Sequence, residues 1–146
     1  MDLNIIVDTR ERMPLWKESE KVTSKKLDVG DYSIKNFENK FSIERKSPND
    51  LFGSLGKGHK QFKAEITRAK DYDYFAIVVE TNYTNIINKE FEGAHYCKMR
   101  GYVITSILFT LHMKYGIPFF LVNGRKEAKR YVRELMNAYL KTREIK

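Results

Sequence analysis

The stretch from Gly30 to Lys46 constrains the fold more than any other part of the chain. Apolar and polar residues alternate on both sides of a polar segment, Asn36 to Asn39, and that pattern fits an antiparallel hairpin. With the turn centred between Phe37 and Glu38, Ile34 faces Phe41 and Tyr32 faces Ile43. These residues make one apolar face. A buried face fixes a strand register, because a one-residue slip turns every side chain over. The other face carries Ser33 opposite Ser42 and Asp31 opposite Glu44, with Lys46 further along the same side.

Directly opposed side chains have Cβ atoms about 4.5–5.5 Å apart, and like charges there repel. Two carboxylates so placed need a shared proton, which raises one pKa, or a divalent cation, for which paired oxygens are natural hard ligands. Asp8, closing the apolar segment that begins at Asn4, is a candidate third ligand. Lys46 beside the ion would hold or deprotonate an attacking water, or stabilise charge developing on phosphate. Together these residues describe a metal-dependent phosphodiesterase site. The alternative is an exposed hairpin face on which Asp31 and Glu44 are solvated and Arg45 and Lys46 are surface counter-charges.

Around the hairpin the pattern predicts a mixed-sheet α/β domain. Asn4 to Asp8 reads as a short strand, residues 9–20 as irregular chain with Pro14 and Trp16, and Val22 to Val29 as a weakly alternating strand. Ser47 is a plausible N-cap for a helix beginning at Pro48 and burying Leu51, Phe52 and Leu55. A second helix is expected from about His59 to Asp71, with Phe62, Ile66 and Ala69 on one face. Tyr74 to Val79 is a buried strand closed by Glu80. Lys98 to Tyr115 is a helix with Val103, Ile107, Leu111 and His112 facing inward, and Ile117 to Val122 is another buried strand. A last amphipathic helix runs from Gly124 to Lys141, with Ala128, Tyr131, Val132, Leu135 and Tyr139 at helical spacing.

Length and composition bound the rest. A chain of 146 residues suits one domain. Hydrophobic residues at 42% and aromatics at 13% exclude intrinsic disorder. The lone cysteine, Cys97, excludes an intrachain disulfide and favours a reducing compartment. The first residues lack the basic and apolar regions of a signal peptide, and the apolar runs fall short of the ~20 residues of a membrane span. The expectation is an intracellular protein, cytoplasmic or nucleoid or nuclear, not secreted and without a membrane partner. The 27 Lys and Arg outnumber the 19 Asp and Glu, for a net charge of +8. That balance favours nucleic acid or another polyanion as partner.

Several segments taken together resemble the nuclease domain of the XPF family, which includes eukaryotic flap and junction endonucleases and the nuclease half of archaeal Hef. The family's hallmark, Gly-Asp followed after a spacer by Glu-Arg-Lys-x-x-x-Asp, corresponds to Gly30-Asp31 and Glu44-Arg45-Lys46-Ser47-Pro48-Asn49-Asp50. The upstream Val-Asp-x-Arg-Glu corresponds to Val7-Asp8-Thr9-Arg10-Glu11, and residues 27–32 (Leu-Asp-Val-Gly-Asp-Tyr) match as well. Leu51 to Leu55, Gln61 and Gly116-Ile117-Pro118 look like later segments, so the resemblance covers nearly the whole chain.

The resemblance implies a restriction-endonuclease-like fold, a mixed β-sheet flanked by helices, that cuts DNA near branch points with Mg²⁺ or Mn²⁺. Carried over residue by residue, it implies that Asp8, Asp31 and Glu44 ligate metal and that Lys46 acts on the water or the scissile phosphate. Arg45 and Asp50 complete the motif. On a regular strand Arg45 points away from Glu44, which leaves a structural salt bridge, such as one to Asp50, and a phosphate contact both open. Glu11 would orient a ligand or Lys46, or stand as a solvated loop acid. Homodimers through the C-terminal strand and helix are implied too, where Phe119, Phe120, Tyr131, Val132, Leu135 and Tyr139 supply apolar surface. All six could instead lie in the monomer core. Residues 1–146 are expected to form one nuclease domain without the helix-hairpin-helix tandem of many members, as a free-standing nuclease or a fragment. A catalytically silent scaffold, or a partner subunit of an active nuclease, is the rival function.

Other residues carry weaker signals. Arg10, Lys57, Lys60, Lys63 and Arg68, with His59 nearby, are candidate DNA contacts, each equally readable as solvated surface. Tyr32, Tyr83 and Tyr96 are candidates for base stacking or for core and rim packing. Glu80 could reach the site or cap its strand. His59, His95, His112 and Cys97 show no metal-ligand spacing, and Gly53, Gly56 and Gly58 do not make a phosphate-binding P-loop.

Overall fold

Short apolar, β-branched segments alternate with amphipathic ones along this chain, and they assemble as a sheet covered on both faces. The structure is a computed structural model and describes residues 3–144. The expected domain span of 1–146 also takes in residues 1, 2, 145 and 146, which lie outside the described residues. The strands are β1 (Ile5–Val7), β2 (Val22–Ser24), β3 (Tyr32–Ile34), β4 (Phe41–Lys46), β5 (Tyr74–Val79) and β6 (Phe119–Leu121). The helices are α1 (Pro48–Leu55), α2 (His59–Arg68), α3 (Tyr83–Asn88), α4 (Gly101–Tyr115) and α5 (Arg125–Glu144). Single 3₁₀ turns follow α2 at Ala69–Asp71 and precede α4 at Ala94–Tyr96.

The strands form one mixed sheet in the order β2-β1-β3-β4-β5-β6. β3 is antiparallel to both β1 and β4, and the remaining neighbours are parallel. This is the expected mixed-sheet α/β architecture. One core lies between the sheet and α5, where Val132 and Met136 meet Val7, Tyr32, Ile43 and Val78. The loop between β1 and β2 joins this side through Leu15 and Trp16. The other core holds α1, α2, α3 and α4 against Ile77 and Val79. Among the described residues no helix is long and apolar enough to cross a membrane.

Local rules explain most boundaries. Ser47 accepts a hydrogen bond from the Asp50 N–H and Pro48 opens α1, as its sequence predicts. Three expectations need correction. The strand expected over Val22 to Val29 ends at Ser24, because the chain then leaves β1 to carry Leu27 and Val29 into the interior. The segment Ile117 to Val122 is not a fully buried strand. β6 is a half-buried edge strand, paired only with β5. In α4 the buried positions are Gly101, Ile104, Thr105 and Leu108, one step round from the predicted face, and His112 is exposed. The reason lies at Gly101, where an added Cβ would fall 2.0 Å from the Ile86 carbonyl oxygen, so contact with α3 sets the roll of the helix. Tyr32 is fully buried and cannot stack on a base, whereas Tyr83 and Tyr96 are exposed.

Candidate active site

The two motif blocks meet through β3 and β4. Side chains alternate across β4, so Ser42, Glu44 and Lys46 face the α2 side while Phe41, Ile43 and Arg45 face α5. Tyr32 pairs with Ile43, the register that the hairpin pattern predicts. Past Tyr32 the chain turns instead of continuing the ladder. Gly30 takes φ +74°, and a Cβ there would lie 2.0 Å from Ser42 Oγ. No side chain fits that approach, and the left-handed backbone itself favours glycine. Ser42 Oγ donates to the Val29 carbonyl at 2.6 Å and so fastens the turn. The Asp31 N–H donates to the Ile43 carbonyl at 2.8 Å, and its carboxylate accepts the Arg45 N–H at 2.7 Å. Asp31 therefore reaches Glu44 from a tight turn and not from a regular opposed position.

The electrostatics follow from this packing. Glu44 is 6% exposed. Burial pushes its carboxyl well up, the Asp31 and Glu65 charges add to that, and Lys46 opposes them. Asp31 is pushed up to about 7, first by burial, then by the charge of Glu11, with Glu65 adding and the Arg45 N–H and Lys46 opposing. Lys46 Nζ lies 2.9 Å from Glu44 Oε2. Burial by itself would lower the Lys46 ammonium, but Glu44, Asp31 and Glu65 leave it raised.

Glu65 is the acid that sequence reasoning missed. It stands between the buried Phe62 and Ile66 on α2, and its Oε2 accepts the Gly30 N–H at 3.1 Å. It thus ties the helix to the turn that presents Asp31. Glu44, Lys46, Asp50, Glu65, Arg10 and Arg68 all line one cleft of about 740 Å³ between α1, α2 and the end of β4.

The remaining candidates distribute as follows. Asp8, 2% exposed, accepts from Arg10 Nε at 2.8 Å and from the Leu27 N–H at 2.8 Å. Its oxygens serve the loop, with the exposed Arg10 guanidinium lying over the cleft. Arg45 leaves the cleft for the far face, where its partners are Glu80, Glu11 (3.1 Å), Tyr32 Oη (3.3 Å) and the Met13 carbonyl (2.6 Å). Asp50 is not among these partners, so the salt bridge left open for Arg45 goes to Glu80 and Glu11. Glu11 serves that network, accepting from Tyr32 Oη at 2.6 Å, instead of orienting Lys46. Glu80 likewise pairs with Arg45. The basic residues divide as well. Arg68 and Gln61 line the cleft, Lys63 and His59 line an apolar pocket on the other side of α2, and Lys57 and Lys60 are exposed outside the cleft lining.

Asp31 and Glu44 suit a hard divalent cation, because two desolvated carboxylates repel one another until a positive charge joins them. Asp8, the third residue of the expected set, accepts from Arg10 and from the Leu27 N–H in this structure. Among the described residues no group of three or more His, Cys, Asp or Glu side chains stands together so as to hold a metal. The residues that would hold one are Asp31 and Glu44, with Glu65 as the adjoining acid.

Comparison with known proteins agrees with this fold. The family model of the ERCC4 domain matches residues 7–135. Among solved structures, XPF from Aeropyrum pernix superposes with a TM-score of 0.66 at 20% identity, covering 92% of this chain and 60% of that one. XPF from Aeropyrum pernix in complex with DNA gives 0.69 at 21% identity, covering 97% and 66%. The chain thus spans about two thirds or less of those relatives. No curated protein sequence matches it.

Proposed function

The chain belongs to the ERCC4-domain family, and from that premise we propose that it is a metal-dependent DNA endonuclease acting on flaps, forks or other branched DNA. The observation that carries this reading is the buried Glu44, with Lys46 Nζ 2.9 Å away, in a cleft that also holds Arg10 and Arg68, and the half-buried Asp31 acting on Glu44 from the adjoining turn. Mg²⁺ or Mn²⁺ bound there would supply a Lewis acid for the phosphate and lower the pKa of water. Asp31 and Glu44 hold the cation. An ammonium paired with a carboxylate keeps its proton, so Lys46 serves as a fixed cation facing the pentavalent phosphate instead of as a base. Arg10 and Arg68, at the cleft walls, draw in and orient the phosphate backbone. Arg45 holds the floor in place from the far side of the sheet.

A second copy of the chain is the proposed partner, through a surface shifted from the one first expected. Val132 and Tyr139 on α5 are buried in the core, and Phe120, Tyr131 and Leu135 pack against it. The apolar surface left open is on α4, at Tyr102, Phe109 and Met113, beside β6, whose Phe119 meets the Phe109 ring at 5.2 Å. An open strand edge flanked by exposed apolar side chains suits self-association. Phe109→Glu should shift a dimer to monomer in light scattering.

The test of function is cleavage of end-labelled linear duplex, splayed fork, 3′ flap and four-way junction with Mg²⁺, Mn²⁺ or EDTA. Metal-dependent cutting near the branch, lost in Asp31→Asn, is the expected result. Tight binding of branched DNA with no cutting on any substrate would overturn the endonuclease reading in favour of a silent scaffold.

A further inference from the structure

Away from the cleft, a second groove of about 1140 Å³ opens between the loop that joins β1 to β2 and the first half of α5. Arg12 and Lys17 line it from the loop, and Arg125, Lys126, Lys129 and Arg133 from the helix. All six are exposed, and no Asp or Glu is among the groove's lining residues. Trp16 forms part of the wall, with the Arg133 guanidinium 5.8 Å from its ring centroid and its buried indole N–H without an acceptor among the described residues. Part of the net charge of +8 is thus gathered in one trough that the catalytic reading leaves unused.

We propose that this groove binds the phosphate backbone of a DNA arm that continues out of the active-site cleft. The proposal rests on the endonuclease reading and adds a second contact surface to it. Arg125, Lys129 and Arg133 recur every fourth residue, so successive cations stand ~6 Å apart along the helix and span ~12 Å. That matches about three or four nucleotides of one strand at ~3.4 Å each. Arg10 lines the cleft and Arg12 lines the groove, so two residues of one loop open onto both sites. A chain covers at most ~7 Å over that interval, and one DNA molecule can lie across both.

The two sites are also joined mechanically. The Met13 carbonyl accepts from Arg45 Nη1 at 2.6 Å and from Arg125 Nη1 at 2.8 Å. Arg45 follows Glu44 in sequence, so the groove wall is hydrogen-bonded to the strand that carries the site. A long DNA arm held by the groove would favour substrates with a duplex or strand extending beyond the scissile bond. An acidic protein segment would find the same charges. The regular spacing of like charges along the helix, with Arg12 in the groove two residues from Arg10 in the cleft, favours DNA.

The test uses the full chain, a fluorescein-labelled splayed fork and anisotropy in EDTA across a salt series. The variants are Lys17→Glu/Lys126→Glu/Lys129→Glu and a matched surface control, Lys35→Glu/Lys40→Glu/Lys141→Glu. Arg125 and Arg133 are left in place because they hold the loop and Trp16. The groove variant should bind at least 10-fold more weakly than the control. Its plot of log affinity against log salt should be shallower by about 2–3, at about 0.9 per lost phosphate contact. Its cleavage of a short-armed fork should fall less than its cleavage of a long-armed one. Equal affinity and slope in the two variants, while wild type binds and cuts, would overturn the groove and leave the endonuclease reading standing. Failure of wild type to bind any DNA would overturn both. Loss of polyglutamate binding with DNA binding intact would assign the groove to an acidic protein and refute the proposal.

Discussion

Replacing Asp31 by Asn should stabilise the metal-free protein, and the gain should grow with pH. An ordinary aspartate titrates near 3.8, whereas burial and the neighbouring acids place Asp31 at about 7. A raised carboxyl pKa means that the folded state holds a proton the unfolded chain has already lost. Its contribution to stability is therefore intact below pH 4 and lost as pH rises through 7. At ~1.4 kcal/mol per pH unit, the full cost at pH 8 is about 4 kcal/mol, somewhat under half of it present at pH 5. The Asn variant escapes this cost, and its Oδ1 can still accept the Arg45 N–H that Asp31 accepts at 2.7 Å. Its advantage over wild type should be about 2–3 kcal/mol larger at pH 8 than at pH 5, roughly 6–9 °C in Tm for a chain of this size. Glu44 shares the repulsion, so this is an upper figure. The assay is thermal unfolding by circular dichroism in EDTA at both pH values. Adding Mg²⁺ at pH 8 should raise the wild-type Tm more than that of the variant, by mass action on the folded state. A Tm difference that does not change between pH 5 and pH 8 would refute the desolvated-pair argument.

Other perturbations separate scaffold from chemistry. Arg45→Ala leaves Glu80 and Glu11 without their common cation on the far face. It should cost about 3–5 kcal/mol in urea unfolding, and Arg45→Ala/Glu80→Gln should cost less than the sum of the single changes. Gly30→Ala forces a Cβ to within 2.0 Å of Ser42 Oγ at φ +74°, so denaturant titration should show a loss of at least about 2 kcal/mol. Glu65→Gln keeps the helix and a possible acceptor for the Gly30 N–H but removes a charge. It should weaken Mg²⁺ binding by calorimetry about 10-fold or more with the unfolding midpoint in EDTA unchanged or raised. Unaltered metal affinity would remove Glu65 from the site.

The part of the site that the sequence makes legible is the part written by period-two alternation. Tyr32 and Ile43 could face one another only if Glu44 and Lys46 shared the opposite face, and the structure pairs them in that way. The same alternation turns Arg45 away, but a strand pattern says nothing of what waits on the far side. Its partners Glu80 and Glu11 come from just past the end of the next strand and from a loop, respectively. Asp31 was legible as an acid near Glu44. The turn at Gly30 that delivers it was not, since the local pattern suits a continued ladder equally well. Glu65 was the least legible. Helical spacing places it beside the buried Phe62 and Ile66, on the border of the apolar face, and a border residue can meet either solvent or a neighbouring element. Which of these it meets depends on how α2 crosses the sheet. The crossing is fixed by Phe62 and Ile66 packing into the core that α1 and α4 share, and by the Gly30 N–H that only a left-handed turn directs toward the helix. The acid that adjoins the candidate pair is thus selected by packing between segments more than thirty residues apart, a distance over which neither periodicity nor motif spacing carries information.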